Sequence, residues 1–370
     1  MTSEHKKIIF FTGSQRLKGG TERACADIAN MLSEASYEVS VLSQYSGASS
    51  HYKTNHNVKL DQIFSDRPRG LVGAIKTMWS LFFKVRRDSP DIIIFVESIS
   101  FLYFIPLLML RKKPVLVNWE HFNASITLGV RSRSLARWLA SYFSDYIVVL
   151  SQADIGLWQK YFPASSPKLI KISNINPFDA LMANRKSLSR AESQKRILAA
   201  GRLTDQKGFD LLIEAWAKIP KATRLGWRIV VIGEGKGLGP LQQHAKHLNV
   251  FNEIEFKGQV SDVTTEYLNS DFFVLSSRFE GFGLVLVEAL SFSVPVVSFD
   301  CLAGPSEIVE DRLNGILVPP NDIEGLSKAI SEMISDENLR DQLAENSSLT
   351  LTRFSKVTIS KQWLELLNKV

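Results

Sequence analysis

Residues 279–290 read FEGFGLVLVEAL. The pattern predicts that Glu280 ends a strand segment and that a helix then begins, with Glu288 about one turn into it. Gly281 and Gly283 have no Cβ, so the backbone there can approach a ligand closely. The stretch therefore predicts a strand, a glycine turn and a helix, which together form the repeating unit of an α/β sheet.

Strand and helix patterns alternate on both sides of this stretch. Each predicted strand is a short apolar run, and each predicted helix has apolar residues spaced three or four apart. The predicted strands of the second half are Arg196–Ala200, Ile229–Ile232, Ile254–Phe256, Phe272–Leu275 and Val294–Val297, and its helices are Phe209–Lys218, Leu238–Leu248, a short one near Tyr267, and Leu284–Ser291. Such alternation is typical of a parallel sheet covered by helices.

The first half of the chain has the same alternation. Its first predicted helix is Thr21–Ser33, and its predicted strands are Ile8–Phe11, Val39–Leu42, Ile92–Val96, Val115–Val117, Tyr146–Leu150 and Leu169–Ile172. A polar stretch, residues 181–195, is the predicted linker. We therefore expect an α/β protein with two tandem Rossmann-like, doubly wound domains, 1–180 and 196–352, and a ligand cleft between their strand ends.

Composition limits the class of protein. The chain has 370 residues, of which 45% are hydrophobic, enough for two cores. Cys25 and Cys301 are far apart and lack metal-ligand spacing, which favours a reducing compartment. Polar residues and Pro106 interrupt the apolar run Ile92–Leu110, so a buried strand followed by a core helix is favoured over a membrane span. With its polar N-terminus, the sequence predicts a cytoplasmic protein.

Positive charge is concentrated in the first half. Residues 1–180 contain 22 Lys and Arg against 14 Asp and Glu, a net charge of +8, whereas the remainder has 22 against 24, a net charge of −2. The segment 67–87 interleaves cations such as Lys84 with large apolar side chains such as Trp79. Basic helices with aromatic residues are typical of binding to anionic membranes, and a half-buried helix with a solvated face is the alternative. No nucleic-acid-binding signature accompanies the charge.

Glu280 and Glu288 carry the first chemical prediction. A carboxylate accepts two hydrogen bonds from a vicinal diol, as in a sugar or a ribose, and the N–H groups at the start of a helix suit a diphosphate. Two further glycine turns follow predicted strands, at residues 13–20 and 233–237. Neither has the spacing of a P-loop or of a dinucleotide-binding fingerprint. The two carboxylates predict a ligand with hydroxyl groups, and the N–H groups at the start of the helix predict that the same ligand carries phosphate.

The two glutamates, separated by seven residues, resemble the E-x7-E motif of retaining GT-B glycosyltransferases, in particular those of glycosyltransferase family 4. The similarity covers the second half through GRLTDQKGFD at 201–210, VIGEG at 231–235, FKGQV at 256–260, SDFFVLSSR at 270–278, PVVSFD at 295–300 and GILVPPND at 315–322. In the first half, GGTER at 19–23 and WEH at 119–121 are similar to family elements but less diagnostic. The resemblance implies the GT-B fold and a C-terminal helix, within residues 353–370, that crosses back to the first domain.

The resemblance also implies a role for each candidate residue. Arg202 and Lys207 would neutralise the donor diphosphate. Glu288 would hold the ribose hydroxyls, Glu280 would orient the donor sugar, and His121 would lie near that sugar. The donor site would be completed by the backbone of Phe282, Gly283 and Leu284, and by the other glycine turns through Gly19, Gly20 and Gly233.

A retaining transfer without a protein nucleophile, a metal ion or a cofactor is the reaction that the resemblance implies. The donor would be a nucleotide sugar, with UDP-hexose or UDP-N-acetylhexosamine favoured. The acceptor would be a lipid-linked glycan or a polysaccharide at the inner face of the cell membrane. Two alternatives stay open: a nucleotide-sugar 2-epimerase with the same fold, and a non-catalytic protein that binds sugar nucleotides at a membrane.

Overall fold

A computed structural model describes residues 6–182 and 194–370. The chain divides into two compact units: the first runs to Ile175 and also includes Val357–Val370, and the second is Asn176–Lys356. Most of the predicted linker, residues 183–193, lies outside the described residues. The chain enters the second unit slightly before the predicted boundary, because the N–H of Asn176 donates to the carbonyl of Phe354 (2.8 Å) in that unit.

The first unit is built on a parallel sheet. Its strands are β1 (Lys7–Thr12), β2 (Glu38–Tyr45), β3 (Lys59–Phe64), β4 (Ile92–Val96), β5 (Val115–Trp119), β6 (Tyr146–Val149) and β7 (Leu169–Lys171). Its helices up to Ile175 are α1 (Gly20–Glu34), α2 (Gly70–Asp88), α3 (Ser132–Phe143) and α4 (Gln152–Tyr161). Among the described residues the seven strands follow the order β3-β2-β1-β4-β5-β6-β7. The order reverses between β1 and β4, and sheets of this kind bind ligands at such a point.

The second unit repeats this plan. Its elements are α5 (Asp179–Met182), β8 (Arg196–Ala200), α6 (Phe209–Lys218), β9 (Arg228–Ile232), α7 (Leu238–His247), β10 (Ile254–Gly258), α8 (Val263–Leu268), β11 (Phe272–Leu275), α9 (Leu284–Ser291), β12 (Val296–Phe299), α10 (Pro305–Ile308), β13 (Gly315–Val318), α11 (Ile323–Ser335) and α12 (Glu337–Asn346). In the described part of this unit, six parallel strands follow the order β10-β9-β8-β11-β12-β13. Here the order reverses between β8 and β11, which are hydrogen-bonded neighbours.

The last helix, α13 (Lys356–Asn368), packs within the first unit. The ring of its buried Trp363 lies 5.1 Å from the ring of Trp119, at the end of β5. Lys6 Nζ donates to the carbonyl of Leu367 (2.9 Å). Burial of a large aromatic side chain stabilises the first unit, so this unit depends on the last turns of the chain.

Several element predictions differ from the structure. The half-buried edge strand β3 contains Asp61 and Gln62 and has no apolar run, so the sequence analysis missed it; β13 was missed as well. β12 begins two residues later than predicted, at Val296, because Pro295 has no N–H to donate to a neighbouring strand.

The apolar run Ile92–Leu110 begins with the fully buried strand β4, as predicted, but no core helix follows. Two 3₁₀ turns, Ser98–Tyr103 and Ile105–Met109, take its place, and Pro106 lies at the start of the second turn. Within the described ranges we find no helix with both the length and the hydrophobicity needed to span a membrane.

Candidate active site

Apart from Gly233, which follows β9, the predicted donor-binding residues of the second unit follow two adjacent strands. Arg202 and Lys207 follow β8, and Glu280 follows β11, at the point where the strand order of the sheet reverses. The loops after these strands therefore leave the same edge of the sheet side by side. Glu280 lies five residues beyond the end of β11 at Leu275, so the prediction that it ends a strand segment is wrong.

Backbone contacts hold the two loops together. The carbonyl of Gln206 accepts from the N–H of Arg278 (2.8 Å), and the Ser276 hydroxyl donates to the carbonyl of Lys207 (3.0 Å). Gly208 has a φ of +60°, and a Cβ at this position would lie 2.1 Å from the Ser276 carbonyl oxygen. Only glycine permits this close contact between the two backbones. The backbone around Lys207 is therefore held in place without a ligand.

Lys207 and Glu280 form an ion pair inside this loop cluster. Lys207 Nζ lies 2.6 Å from Glu280 Oε1, and the Ser277 hydroxyl donates to the same oxygen (2.7 Å). The Glu280 residue is only 6% exposed. A buried carboxylate requires such partners, and the pair gives the site one fixed cation and one fixed anion.

The Arg202 side chain is not part of this ion pair. Its residue is exposed, and among the described residues we find no hydrogen bond or ion pair made by its guanidinium group. An exposed guanidinium can bind a diphosphate through two N–H donors without first breaking an ion pair. Arg202 and Lys207 are therefore not equivalent, although both follow β8.

Helix α9 places Glu288 next to the glycine turn. Gly283, with a φ of +90°, precedes the helix, and Leu284 is its first residue. The Tyr267 hydroxyl donates to Glu288 Oε2 (2.9 Å) and thereby orients the carboxylate. The side chain of Phe282 is buried and packs against Phe354, with the two rings 5.3 Å apart. The first N–H groups of a helix have no acceptor within it, so the turn keeps the predicted capacity to bind an anion.

Gly233 has a packing role in the structure. Its φ is +127°, and a Cβ would lie 2.0 Å from the carbonyl oxygen of Gly201. Its N–H donates to the carbonyl of Gly258 (2.8 Å). Because this N–H is engaged, any contact of Gly233 with a donor would have to involve other atoms.

Cys301 lies near the charged pair of the second unit. Burial raises the pKa of the Cys301 thiol to about 12, and the negative charge of Glu280 acts in the same direction. Cys301 therefore stays a neutral thiol at physiological pH and is a poor nucleophile. Cys301 is accordingly a free, buried cysteine.

The other predicted residues belong to the first unit. Gly19 precedes α1 and Gly20 begins it, directly after the loop that follows β1. A Cβ built on Gly20 would meet no other atom within 4 Å, so packing does not require glycine there. Both glycines lie beside the reversal of strand order between β1 and β4, a position at which sheets of this kind bind ligands.

His121 follows β5 and is buried. Its ring lies 4.4 Å from that of Trp119, and within the described residues its Nε2 atom has no hydrogen-bond partner. Burial lowers the pKa of His121 to about 4, although the charge of Glu120 acts in the opposite direction. The imidazole is therefore neutral at physiological pH and can exchange hydrogen bonds but cannot supply a positive charge.

Glu120 is held by a fully buried ion pair. Its Oε2 atom accepts from Arg137 Nε (2.7 Å) and from the Ser98 hydroxyl (2.7 Å). Burial acts to raise the pKa of Glu120, but the Arg137 charge and these hydrogen bonds outweigh it and lower the pKa. Glu120 therefore stays ionised and anchors the loop that carries His121.

The sequence analysis did not identify Glu97 as a candidate. Glu97 directly follows β4, has a φ of +62°, and pairs with Arg133 (Oε2 to Nη2, 3.2 Å). Burial raises its pKa despite the Arg133 charge. A left-handed backbone at a non-glycine residue is uncommon and often marks a functional position. The signal in the sequence was a carboxylate placed directly after an all-apolar strand.

Metal ligands form no cluster in the described ranges. There we find no group of three or more His, Cys, Asp or Glu side chains that could hold a metal ion. Among the predicted site residues of the second unit, the structure brings the charged groups of Lys207 and Glu280 together.

Comparison with solved structures identifies the fold. The chain is similar to the HepE protein of Anabaena, solved in complex with UDP and glucose, with a TM-score of 0.78 and 22% identity over 99% of this chain and 100% of that chain. The two parallel-sheet units therefore form the GT-B fold of glycosyltransferases, which confirms the predicted fold class.

Sequence comparison identifies the family. Residues 182–349 match the model of glycosyl transferases group 1, and residues 18–174 match that of glycosyltransferase family 4. An uncharacterized glycosyltransferase of Haemophilus influenzae is 30% identical over 98% of this chain and 100% of its own length. An alpha-1,4-N-acetyl-D-galactosaminyltransferase of Campylobacter jejuni, whose name gives a PP-undecaprenol-linked saccharide, is 27% identical over 95% of this chain and 96% of its own length. The chain belongs to glycosyltransferase family 4.

Proposed function

We propose that this glycosyltransferase transfers a hexose or N-acetylhexosamine, with retention of configuration, from a UDP-sugar to a glycan acceptor. The observation that carries the proposal is the ion pair of Lys207 and Glu280 beside the Gly283 turn. It combines a cation suited to a diphosphate with a carboxylate suited to sugar hydroxyls. The UDP and glucose bound by HepE support the choice of donor.

Each candidate residue then has a part in the reaction. Arg202 and Lys207 bind the diphosphate and stabilise the charge that grows on it as its bond to the anomeric carbon breaks. Glu280 orients the donor sugar, and Glu288 accepts hydrogen bonds from the ribose hydroxyls. The exposed position of Arg202 and the orientation of Glu288 by Tyr267 fit these parts.

The displacement needs no protein nucleophile. The acceptor oxygen forms its bond to the anomeric carbon on the face from which the diphosphate departs, and an oxygen of that diphosphate takes the acceptor's proton. The configuration is therefore retained. Neutral His121 exchanges hydrogen bonds near the sugar, and the two cations take the place of a metal ion.

The acceptor in this proposal is a lipid-linked glycan or a polysaccharide under construction for the cell surface. The PP-undecaprenol-linked saccharide in the name of the Campylobacter jejuni relative supports an acceptor of this kind. The net positive charge of residues 1–180 would be attracted to the anionic inner face of the cell membrane, which supports a membrane-bound acceptor. The protein would then act in the cytoplasm as a peripheral membrane enzyme.

A panel of nucleotide sugars, with and without undecaprenyl diphosphate-linked saccharides, tests the proposal. We expect release of UDP from one donor, faster with an acceptor present, and a product whose anomeric proton coupling matches that of the donor. Epimerisation of the free nucleotide sugar without transfer would favour the 2-epimerase alternative. Tight binding of a UDP-sugar with no turnover for any acceptor would favour the non-catalytic one.

A further inference from the structure

Helix α2 is apolar on two opposite faces. One face packs into the core of the first unit through buried residues that include Leu81, Phe82 and Val85. The opposite face is exposed to solvent: Trp79 is 42% exposed and Phe83 is 60% exposed. A surface helix of a globular protein normally has one apolar stripe, so the second stripe indicates a further apolar partner.

Two neighbouring segments also expose apolar side chains. The second 3₁₀ turn packs against α2, and its Ile105 is exposed. The ring of Phe104 lies 5.2 Å from that of Phe143 in α3, and Trp138 of α3 is also exposed. We call the exposed side chains of α2, of the second 3₁₀ turn and of α3 the apolar face.

The segments that form the apolar face carry many cations and one carboxylate, that of Asp88 at the end of α2, which pairs with Lys84 and Arg87. Residues 67–87, 98–113 and 131–143 together contain 12 Lys and Arg and no Asp or Glu. Nine of these cations are exposed. The other three, Lys84, Arg133 and Arg137, are held by carboxylates. Two of the exposed cations, Arg87 and Lys112, also pair with carboxylates, those of Asp88 and Asp91.

Lys84 is not available to a membrane, although the sequence analysis named it among the cations of this segment. Its Nζ atom contacts the carboxylates of Asp61 and Asp88, and its side chain is only 13% exposed. Lys84 is therefore a structural residue, and the cations available to a partner are the exposed ones, such as Lys76 and Arg86.

An anionic lipid bilayer is the partner that matches this combination. Aromatic and aliphatic side chains enter the boundary between head groups and acyl chains, while Lys and Arg contact the lipid phosphates. A second copy of the chain fits less well, because a symmetric contact would bring two faces with a large excess of cations together.

We propose that the apolar face inserts into the surface of an anionic bilayer while the exposed cations beside it bind lipid phosphates. This inference rests on the membrane location given under the proposed function, but it concerns lipid binding alone and needs no acceptor. Insertion buries apolar surface, and salt does not screen that contribution. Binding therefore weakens as salt rises but persists, unlike binding by charge alone.

Co-sedimentation with vesicles of phosphatidylcholine and phosphatidylglycerol tests the proposal, at low and at high salt. We expect Trp79→Ser combined with Phe83→Ser to weaken binding about tenfold or more at both salt concentrations. Lys76→Gln combined with Arg86→Gln should weaken binding at low salt and have little effect at high salt. Leu225→Ser combined with Leu349→Ser removes two apolar side chains from the second unit that are 72% and 62% exposed, more than Trp79 and Phe83, and should leave binding unchanged.

Other outcomes would overturn the inference. Parent-like binding of the Trp79 and Phe83 variant would show that the apolar face does not touch lipid. Sedimentation velocity that shows a dimer broken by these substitutions, with no vesicle binding by the parent, would make the face a self-association surface. Failure of the proposed function has a separate signature: the parent would bind vesicles but release UDP from no donor sugar.

Discussion

Lys207 Nζ lies 2.6 Å from Glu280 Oε1, although the two residues are 73 positions apart in the chain. The contact joins the loop after β8 to the loop after β11, and it buries a carboxylate beside the glycine turn that precedes α9. The pair therefore serves two purposes in our proposal, since it stabilises the loops and presents charge to the donor.

Lys207→Ala and Arg202→Ala should each reduce turnover by about 10- to 1,000-fold, as expected for loss of one preorganised charge. Only Lys207→Ala should also lower the free energy of unfolding, by about 2 kcal/mol or more, because it leaves the buried Glu280 carboxylate without its cation. Exposed Arg202 makes no such contact with any residue that the structure describes. Urea unfolding and UDP-release assays on both variants measure the two effects.

The double variant Lys207→Met with Glu280→Gln provides the control for this prediction. It removes both charges together, so most of the stability should return while turnover stays low. Near-parent turnover in the double variant would remove both residues from the reaction.

Glu288→Gln should weaken UDP binding by about 10- to 100-fold, because it removes the charge from the carboxylate assigned to the ribose hydroxyls. Tyr267→Phe is the matched change: it deletes the hydroxyl that donates to Glu288 Oε2 but keeps the carboxylate. Its effect on binding should be only a few-fold. Isothermal titration with UDP measures both, and equal effects would mean that Glu288 acts mainly as a partner of Tyr267.

The loop after β8 and the glycine turn before α9 could be predicted from sequence, because glycine turns after apolar runs are local signals. The partners of these residues could not. The contacts of Lys207 with Glu280 and of Tyr267 with Glu288 join distant segments, and so does the pairing of Glu97 with Arg133. Such contacts depend on strand order, which the sequence pattern does not specify.

The two apolar faces of α2 illustrate a second limit. Sequence periodicity marked residues 67–87 as helical, basic and aromatic, and the helix runs from Gly70 to Asp88. It did not indicate that Lys84 is held by carboxylates or that Phe83 is exposed. Which face of such a helix is covered depends on neighbours far away in the chain.

EDTA in excess should leave the rate of sugar transfer unchanged. In our proposal Arg202 and Lys207 supply the positive charge that a divalent ion would otherwise give to the departing diphosphate. Transfer assays before and after chelation, followed by addition of Mg²⁺ or Mn²⁺, measure the effect. Loss of transfer on chelation and its return with either ion would contradict the metal-independent mechanism.

The buried His121 predicts a pH effect on stability. Its pKa falls from 6.5 in the unfolded chain to about 4 in the folded protein, so the unfolded chain binds more protons between these values. The free energy of unfolding should therefore fall as pH decreases from 6.5 to 4, by up to about 1.4 kcal/mol per pH unit. His121→Asn should lack this contribution. Urea unfolding of both proteins across this range measures the difference, and identical slopes would contradict the assignment.

Asp154, a buried residue of α4 whose Oδ1 atom accepts from the N–H of Ala124 (2.7 Å), provides a control of opposite sign. Burial raises its pKa from 3.8 to about 7, so the folded state binds this proton more tightly than the unfolded chain does. The resulting stabilisation is fully present below pH 3.8 and is lost as pH rises through 7. Asp154→Asn should therefore lose less stability than the parent as pH rises from 5 to 8.

Two aromatic residues near the C-terminus should have separable effects, because they pack in different units. Phe354 lies against Phe282 in the candidate donor turn, whereas Trp363 lies against Trp119 in the first unit. Phe354→Ala should weaken UDP binding, since it removes support from the turn before α9. Trp363→Ala should destabilise the first unit by about 3–5 kcal/mol, the usual effect of emptying a large buried site, and leave UDP affinity unchanged. Thermal unfolding and UDP titration of both variants measure these effects, and loss of UDP affinity in Trp363→Ala alone would mean that the first unit governs binding of the nucleotide.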